Sequence, residues 1–351
     1  MAISNTIKIT GSKLVKWSGL IKYLKERSTR GFTILTYHRV LKYDKGVCPY
    51  FRSEMAMSSD NFEKQLQFLH ENANVRPLRD LLVALRNKER FSPGTVAVTF
   101  DDGYIDNYMH AFPLMKKYKI PATIFLTTGP INDHGVLWWD KVSHVISTLW
   151  AKGAFEAVND SPFGRFIPCN ESYERNDLIN EIVDRLNDLS VHARDDFWQS
   201  LDHWLKVQGI QGPEPLMMTW EMVKEMAGHG ISFESHTVNH RFLNELSHEE
   251  LEKETIPSRD SIRQSVDQPA DIIAYPRGRV LSPSKDSFIR ENFSAACSVV
   301  AGFNDHTVDT YQLRRMDANY FLVDGEFHHE YFEASLYGIW DMIRKLARGF
   351  S

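Results

Sequence analysis

Two clusters of residues carry reactive chemistry. In Val98-Thr99-Phe100-Asp101-Asp102-Gly103-Tyr104, two carboxylates follow directly on an apolar, β-branched run. Carboxylates this close repel unless a cation or a proton intervenes. Neighbours in a continuing strand point to opposite faces, so one site would receive only one of them. Gly103 lets the backbone turn at once and bring both aspartates to the same end of a sheet. The second cluster is Glu234-Ser235-His236-Thr237-Val238-Asn239-His240, also at the end of a short apolar run. Its histidines are four apart and share one face if the segment takes a helical turn. An aspartate with two imidazoles and an open position is a hydrolytic metal pattern. Zinc is the default for such ligation, and Co2+ or Ni2+ fits the same donors. Each cluster alone has a plainer reading: a solvated turn for the first, surface histidines at a helix start for the second.

Such residues need a scaffold. Short, nearly all-apolar runs occur at Thr33–His38, Thr95–Phe100, Ala122–Leu126, Ile231–Ser235, Asp271–Tyr275 and Ala295–Val299, with a weaker one at Gln312–Met316. Helical periodicity covers Ser59–Asn72, Leu78–Asn87 and Ser247–Ser265 between them. This alternation predicts a parallel sheet covered on both faces. Seven strands suit a barrel, with an open doubly wound sheet as the other arrangement. Active sites of such folds sit at the C-terminal ends of the strands, where both clusters fall. Residues 141–207 hold more helix than one crossover needs and read as a helical insertion, clearest at Asp177–Leu189 and Ala193–Lys206.

Composition narrows the function classes. The 351 residues are 42% hydrophobic and 25% charged, as in ordinary globular proteins. A net charge of −5 gives no general pull toward nucleic acid. No apolar run approaches the roughly 18 residues of a membrane span. Lys13, Lys16 and Lys22 interrupt any signal-peptide core, so the cytoplasm is the expected address. Cys48, Cys169 and Cys297 lack a CxxC spacing and are odd in number, which fits a reducing compartment. There is no GxSxG elbow and no glycine-rich phosphate loop, so neither a serine hydrolase nor a nucleotide cofactor is expected. The charge is uneven: residues 1–30 carry +6 and place Leu14, Trp17, Ile21 and Leu24 at helical spacing. The stretch Leu336–Arg348 is also apolar with clustered bases. Basic amphipathic helices suit peripheral docking at an anionic membrane surface, here the inner face. The plainer alternative packs both segments on the barrel.

TFDDG at 99–103 and SHTVNH at 235–240 resemble the first two motifs of the polysaccharide deacetylase family, also called the NodB-homology domain or carbohydrate esterase family 4. LTYHRV at 35–40, PATIFLTTGPI at 121–131, LWWD at 137–140, MTWEMVKEMAGHG at 218–230 and AYPRG at 274–278 extend the likeness in one consistent order. The resemblance implies a distorted (β/α)7 barrel with a helical insertion. The catalytic domain would span 31–322, preceded by the basic segment 1–30 and followed by a C-terminal helical segment, 323–351. It implies that Asp102, His236 and His240 hold one divalent metal, with Asp101 as general base. The reaction implied is hydrolysis of N-acetyl groups on amino sugars of a polysaccharide, oligosaccharide or lipid-linked glycan, releasing acetate. A C–N hydrolase of a small non-sugar amide, or a catalytically silent glycan-binding protein, are the alternatives.

Two motifs depart from the family pattern. Its third motif, Arg-x-Pro-Tyr, reads Ala274-Tyr275-Pro276-Arg277 here, so the arginine that orients the base is missing. Arg315 is the preferred replacement, with Arg314 and Arg39 as others. Tyr275, Pro276 and Arg277 are assigned to the substrate and oxyanion side, since a backbone N–H at Arg277 survives a side-chain change. The Leu-x-His that supplies the general acid is also absent. His38, ending the first strand, is the preferred substitute over His306, His328 and His329. Trp139 is a candidate sugar contact, with packing of the insertion as its other role.

Overall fold

A computed structural model of the chain describes residues 10–11, 13–14, 19–42, 55–166, 174–278, 281–323 and 325–338. Seven strand segments frame it: β1 (Gly31–Tyr37), β2 (Thr95–Phe100), β3 (Ala122–Leu126), β4 (Ser232–Ser235), β5 (Ile272–Ala274), β6 (Ala295–Cys297) and β7 (Met316–Asp317). From β1 to β6 each strand pairs in parallel with the next. The last stave is split between its neighbours. Leu313 bridges in parallel to Cys297 of β6, while Met316 and Asp317 pair with Leu35 and Thr36 of β1. The sheet therefore curls back on itself as a distorted barrel, with helices outside. The weak seventh run yields the shortest of the seven strand segments, Met316–Asp317.

Side chains alternate across the wall, as the pleat requires. Phe32, Ile34, Ala97, Phe125, Ile272, Ala274, Ala295, Cys297 and Leu313 cluster on one face of the staves. Leu35, Tyr37, Val96, Val98, Phe100, Ala122, Ile124 and Leu126 belong to the other, with the surrounding helices. The first set is the interior, and several of its members are small because a narrow barrel leaves little room. Helix Leu78–Arg86 closes one end, adding Leu78, Leu81, Leu82 and Leu85 to that cluster. The buried Cys297 acts there as a small hydrophobe; Cys48 and Cys169 lie outside the described residues.

The closing helix also carries Arg79, which donates to Glu234 at 2.6 Å and to Asp271 at 2.5 Å. Glu234 is buried and accepts from the Ile272 backbone N–H at 2.8 Å, tying β4 to β5. Burial pushes its carboxyl up to about 7 in spite of Arg79. Arg79→Met is expected to destabilise the fold by about 2 kcal/mol, below the roughly 3–5 kcal/mol of a fully buried pair because Arg79 is one-third exposed. Adding Glu234→Gln should restore much of the loss, and thermal melts of the three variants check it.

Between β3 and β4 stand helices Trp138–Ala151, Phe155–Asp160, Arg175–Asp188 and Val191–Gln208. The inserted helices thus begin three residues ahead of 141. In Arg175–Asp188 the buried positions Leu178, Ile179, Ile182, Val183 and Leu186 recur at helical spacing. They join Val142, Val145, Ile146 and Leu149 of the first inserted helix in the main core. Ser190 caps the following helix by accepting from the Ala193 N–H.

Within the basic N-terminal segment, the helix Leu20–Ser28 reaches the chain's other end. It buries Leu24, and Lys25 pairs with Glu333 at 3.5 Å beside the Tyr337 ring. Trp17 and residues 339–351 lie outside the described residues. Among the described residues no helix is long and apolar enough to cross a membrane.

Candidate active site

The barrel's alternation explains which side chains meet at its C-terminal end. Ile34 faces inward, so Thr36 and then His38 continue that face. Ala97, Thr99 and Asp101 do the same from β2, as do Leu313 and Arg315 from the last stave. Thr36 and Thr99 meet at 3.2 Å, just below the site. Glu234 lies in register with the inward Phe125, which places His236 over the mouth as well. All four, His38, Asp101, His236 and Arg315, line one cavity with Asp102 and His240.

Asp102 and His240 need more than strand parity. Asp102 has φ 74° and Gly103 φ 88°, so the chain reverses at the second aspartate itself. A Cβ on Gly103 would also stand 2.7 Å from Leu126 Cδ2. The histidine segment is not the helical turn that the four-residue spacing suggests. Residues 236–240 form an irregular loop with Thr237 at φ 72° and His240 at φ 55°. Non-local bonds hold it: Asn239 donates twice to the Glu254 carboxylate, at 2.8 and 2.9 Å, and the Gly129 N–H donates to the Val238 carbonyl at 2.8 Å. Gly129 permits that approach, since a Cβ there would lie 2.6 Å from Asn239 Oδ1 and 2.7 Å from the Val238 carbonyl oxygen. Both imidazoles still reach Asp102.

His236 Nε2 is 3.6 Å and His240 Nε2 3.7 Å from Asp102 Oδ1. Donor atoms of all three lie within 4.8 Å of one another, and all three residues are buried. His236 Nδ1 lies 2.8 Å from the Ala274 carbonyl, which turns Nε2 toward Asp102. The donor set fits a divalent cation. Both Asp102 oxygens are buried without a hydrogen-bond partner, and burial beside Asp101 and Asp140 pushes this carboxyl up to about 7. Burial lowers His236 to about 4 and His240 well below the usual range, leaving neutral imidazoles with free lone pairs.

Asp101 is held differently. Arg315 donates to both of its oxygens, from Nη1 at 2.6 Å and Nη2 at 2.8 Å, and its Nε donates to the Ser298 carbonyl at 2.9 Å. Burial pushes the Asp101 carboxyl up, but the Arg315 guanidinium, helped by His236 and His38, holds it well below the usual carboxylate range. His38 Nε2 stands 3.9 Å from Asp101 Oδ2. The other candidate arginines do not line the cavity: Arg39 donates to Asp106 at 2.8 Å, and the Arg314 backbone exchanges two hydrogen bonds with the Asn304 amide. His306, His328 and His329 are absent from the cavity lining.

The remaining candidates frame this centre. Trp139 is 8% exposed, with its ring edge-on to His240 at 4.7 Å and its Nε1 donating to the Tyr104 hydroxyl at 2.7 Å. Tyr104 in turn donates to Asp140 at 2.7 Å. Trp139 therefore buttresses His240, and the half-buried Trp138 beside it offers more open surface. Tyr275 is packed in a side cluster, Pro276 begins a tight turn, and Arg277 has φ 55° with its guanidinium 5.6 Å from the Phe242 ring. Sequence reasoning missed Glu254, Tyr104 and Asp140, and also Asn187 and Asp317, which line the cavity. Asp140 adjoins the LWWD tryptophans, but nothing local marks it as buried.

Fold and site together define an α/β barrel with a buried Asp/His/His cluster at the C-terminal end of its strands. Residues 88–290 match the profile of the polysaccharide deacetylase family, more than half of the chain, and the chain belongs to that family. Its members are hydrolases of amide C–N bonds, and the chain is a hydrolase of this class. YxkH of Bacillus subtilis (strain 168), whose name assigns it provisionally to the polysaccharide deacetylases, is 23% identical over 296 residues, 84% of this chain and 74% of its own length. A poly-beta-1,6-N-acetyl-D-glucosamine N-deacetylase of Staphylococcus aureus is 32% identical over 117 residues, 31% of this chain and 40% of that protein. Among solved structures, the Streptococcus pyogenes deacetylase PplD in complex with acetate shares the fold with a TM-score of 0.53 at 20% identity, covering 82% of this chain and 92% of that one. IcaB from Ammonifex degensii gives 0.52 at 20% identity, with the same coverage.

Proposed function

We propose that the protein removes N-acetyl groups from amino sugars of a glycan, releasing acetate. The observation that carries this reading is a buried carboxylate, Asp101, clamped by Arg315 beside the Asp102/His236/His240 cluster. In this reading those three residues hold one divalent metal, with Zn2+ as the default and Co2+ or Ni2+ suited to the same donors. Such an ion would acidify a water and polarise the acetyl carbonyl. Asp101 would accept the proton of the attacking water, and Arg315 fixes its orientation. The Arg277 backbone N–H is assigned to the developing oxyanion, and His38 returns a proton to the leaving amine. Trp139 keeps His240 in place. A poly-beta-1,6-N-acetyl-D-glucosamine deacetylase among the relatives supports an N-acetylglucosamine glycan as substrate.

Acetate release by metal-loaded protein from N-acetylhexosamine oligosaccharides, set against small cyclic amides, tests the reading. Loss of release on chelation and recovery with Zn2+ supports it; cleavage of the cyclic amides alone would replace it with the small-amide alternative. His38→Gln is expected to lower kcat by about 10²-fold, within the span of one general acid. A kcat within twofold of wild type would remove His38 from the mechanism.

Peripheral contact with an anionic membrane surface at its inner face belongs to the same proposal. Exposed Lys13 and Lys22 support it. A Lys13→Glu/Lys22→Glu variant is expected to co-sediment less with anionic liposomes than wild type, and equal recovery would sink the membrane arm.

A further inference from the structure

We infer that Asn187, carried to the active site by the inserted helix Arg175–Asp188, binds substrate through a hydroxyl of the reacting amino sugar. The helical insertion then takes part in choosing the glycan. This rests on the deacetylase reading above. Asn187 and Val183, one helical turn apart, line the same cavity as Asp102, His236 and His240. The buried positions of that helix are Leu178, Ile179, Ile182, Val183, Leu186 and Asn187, so Asn187 is the polar member of an otherwise apolar face. It is 6% exposed, and its Oδ1 is buried without a hydrogen-bond partner.

A buried amide atom with no partner costs stability, whereas leucine at that position would extend the packing of the same face. The polar group stands where it can meet something entering the cavity. A sugar hydroxyl both donates and accepts, so it satisfies the amide whichever way the group is turned. Val183 and the half-buried Trp138 supply apolar wall on the same cavity, suited to the C–H face of a pyranose ring. The side chain thereby discriminates a hydroxylated ring from a plain acyl compound. A site built to bond a hydroxyl rejects an analogue that lacks it.

Asn187→Leu and Asn187→Ala separate this role from a packing role. The probes are β-1,6- and β-1,4-linked N-acetylglucosamine oligosaccharides, and para-nitrophenyl acetate, which carries the acetyl group without the sugar. For both variants KM for the oligosaccharide that wild type cleaves is expected to rise about tenfold, the size of one lost hydrogen bond, with kcat within twofold. The para-nitrophenyl acetate rate should stay unchanged. The Tm of Asn187→Leu should hold or rise, because an unpartnered amide has been replaced by an apolar group of similar size. An unchanged KM in both variants, with wild type active, overturns the Asn187 assignment alone. A parallel fall in Tm and in both activities also overturns it, by making Asn187 structural. If wild type releases no acetate from any oligosaccharide, the deacetylase reading falls and this inference with it.

Discussion

Asp101→Asn is expected to lower acetate release by about 10³-fold, within the span of one well-placed general base. The amide keeps the shape of the carboxylate but cannot accept the proton. Because Asp102, His236 and His240 are untouched, the variant should still take up one equivalent of Zn2+ or Co2+. The same change removes the counter-charge of a buried guanidinium, so a loss of stability toward about 3 kcal/mol accompanies it. Metal content and a thermal melt recorded with the rate therefore separate a lost base from a lost fold. Retention of activity within tenfold, with metal bound, would sink the assignment of Asp101.

Arg315→Met should be nearly as damaging, for a different reason. Methionine keeps apolar bulk but deletes three donors, two to Asp101 and one to the Ser298 carbonyl. The remaining carboxylate is buried, without its main partner and free to turn. A fall of about 10²-fold in kcat/KM and a destabilisation of about 3–5 kcal/mol are expected. The Asp101→Asn/Arg315→Met double variant removes both charges. It should recover stability relative to either single variant and recover no activity. Parallel recovery of both would mean that the pair matters only for folding. The pH dependence has a definite sign. A carboxyl held below its unfolded value contributes stability above about pH 4 and loses it as the pH falls toward the folded value. The Tm difference between wild type and Arg315→Met should therefore be largest near neutrality and shrink in acid.

Much of the scaffold was legible in local patterns. Thr95–Phe100, Ala122–Leu126 and Ser59–Asn72 are read from the sequence with the bounds they have in the fold. Each is a compact periodic run with turn residues at its edges, so local preference and burial agree. The histidine loop shows where that reasoning stops. Four-residue spacing suggests a helical turn, yet the loop is shaped by Glu254, 15 positions beyond Asn239, and by Gly129 in the short helix Thr128–Asn132 that follows β3. The last stave was faint for a related reason. It divides its pairing between β6 and β1 and never shows a full alternating run.

The residue types and their order determined the strands of a parallel barrel, the adjacent Asp101 and Asp102, and the His236/His240 pair. Those features are local, since apolar runs and short spacings hardly depend on the rest of the chain. The choice of Arg315 over Arg314 or Arg39 belongs to the tertiary structure. Arg315 and Asp101 are 214 positions apart, and they meet because curling of the sheet brings the last stave beside β1 with its odd-numbered side chains inward. Likewise, no local pattern brings Asn187 of the insertion to the cavity or Trp139 against His240. Those contacts depend on how inserted helices settle on the barrel, and packing across long sequence separations leaves little trace in the neighbours of any one residue.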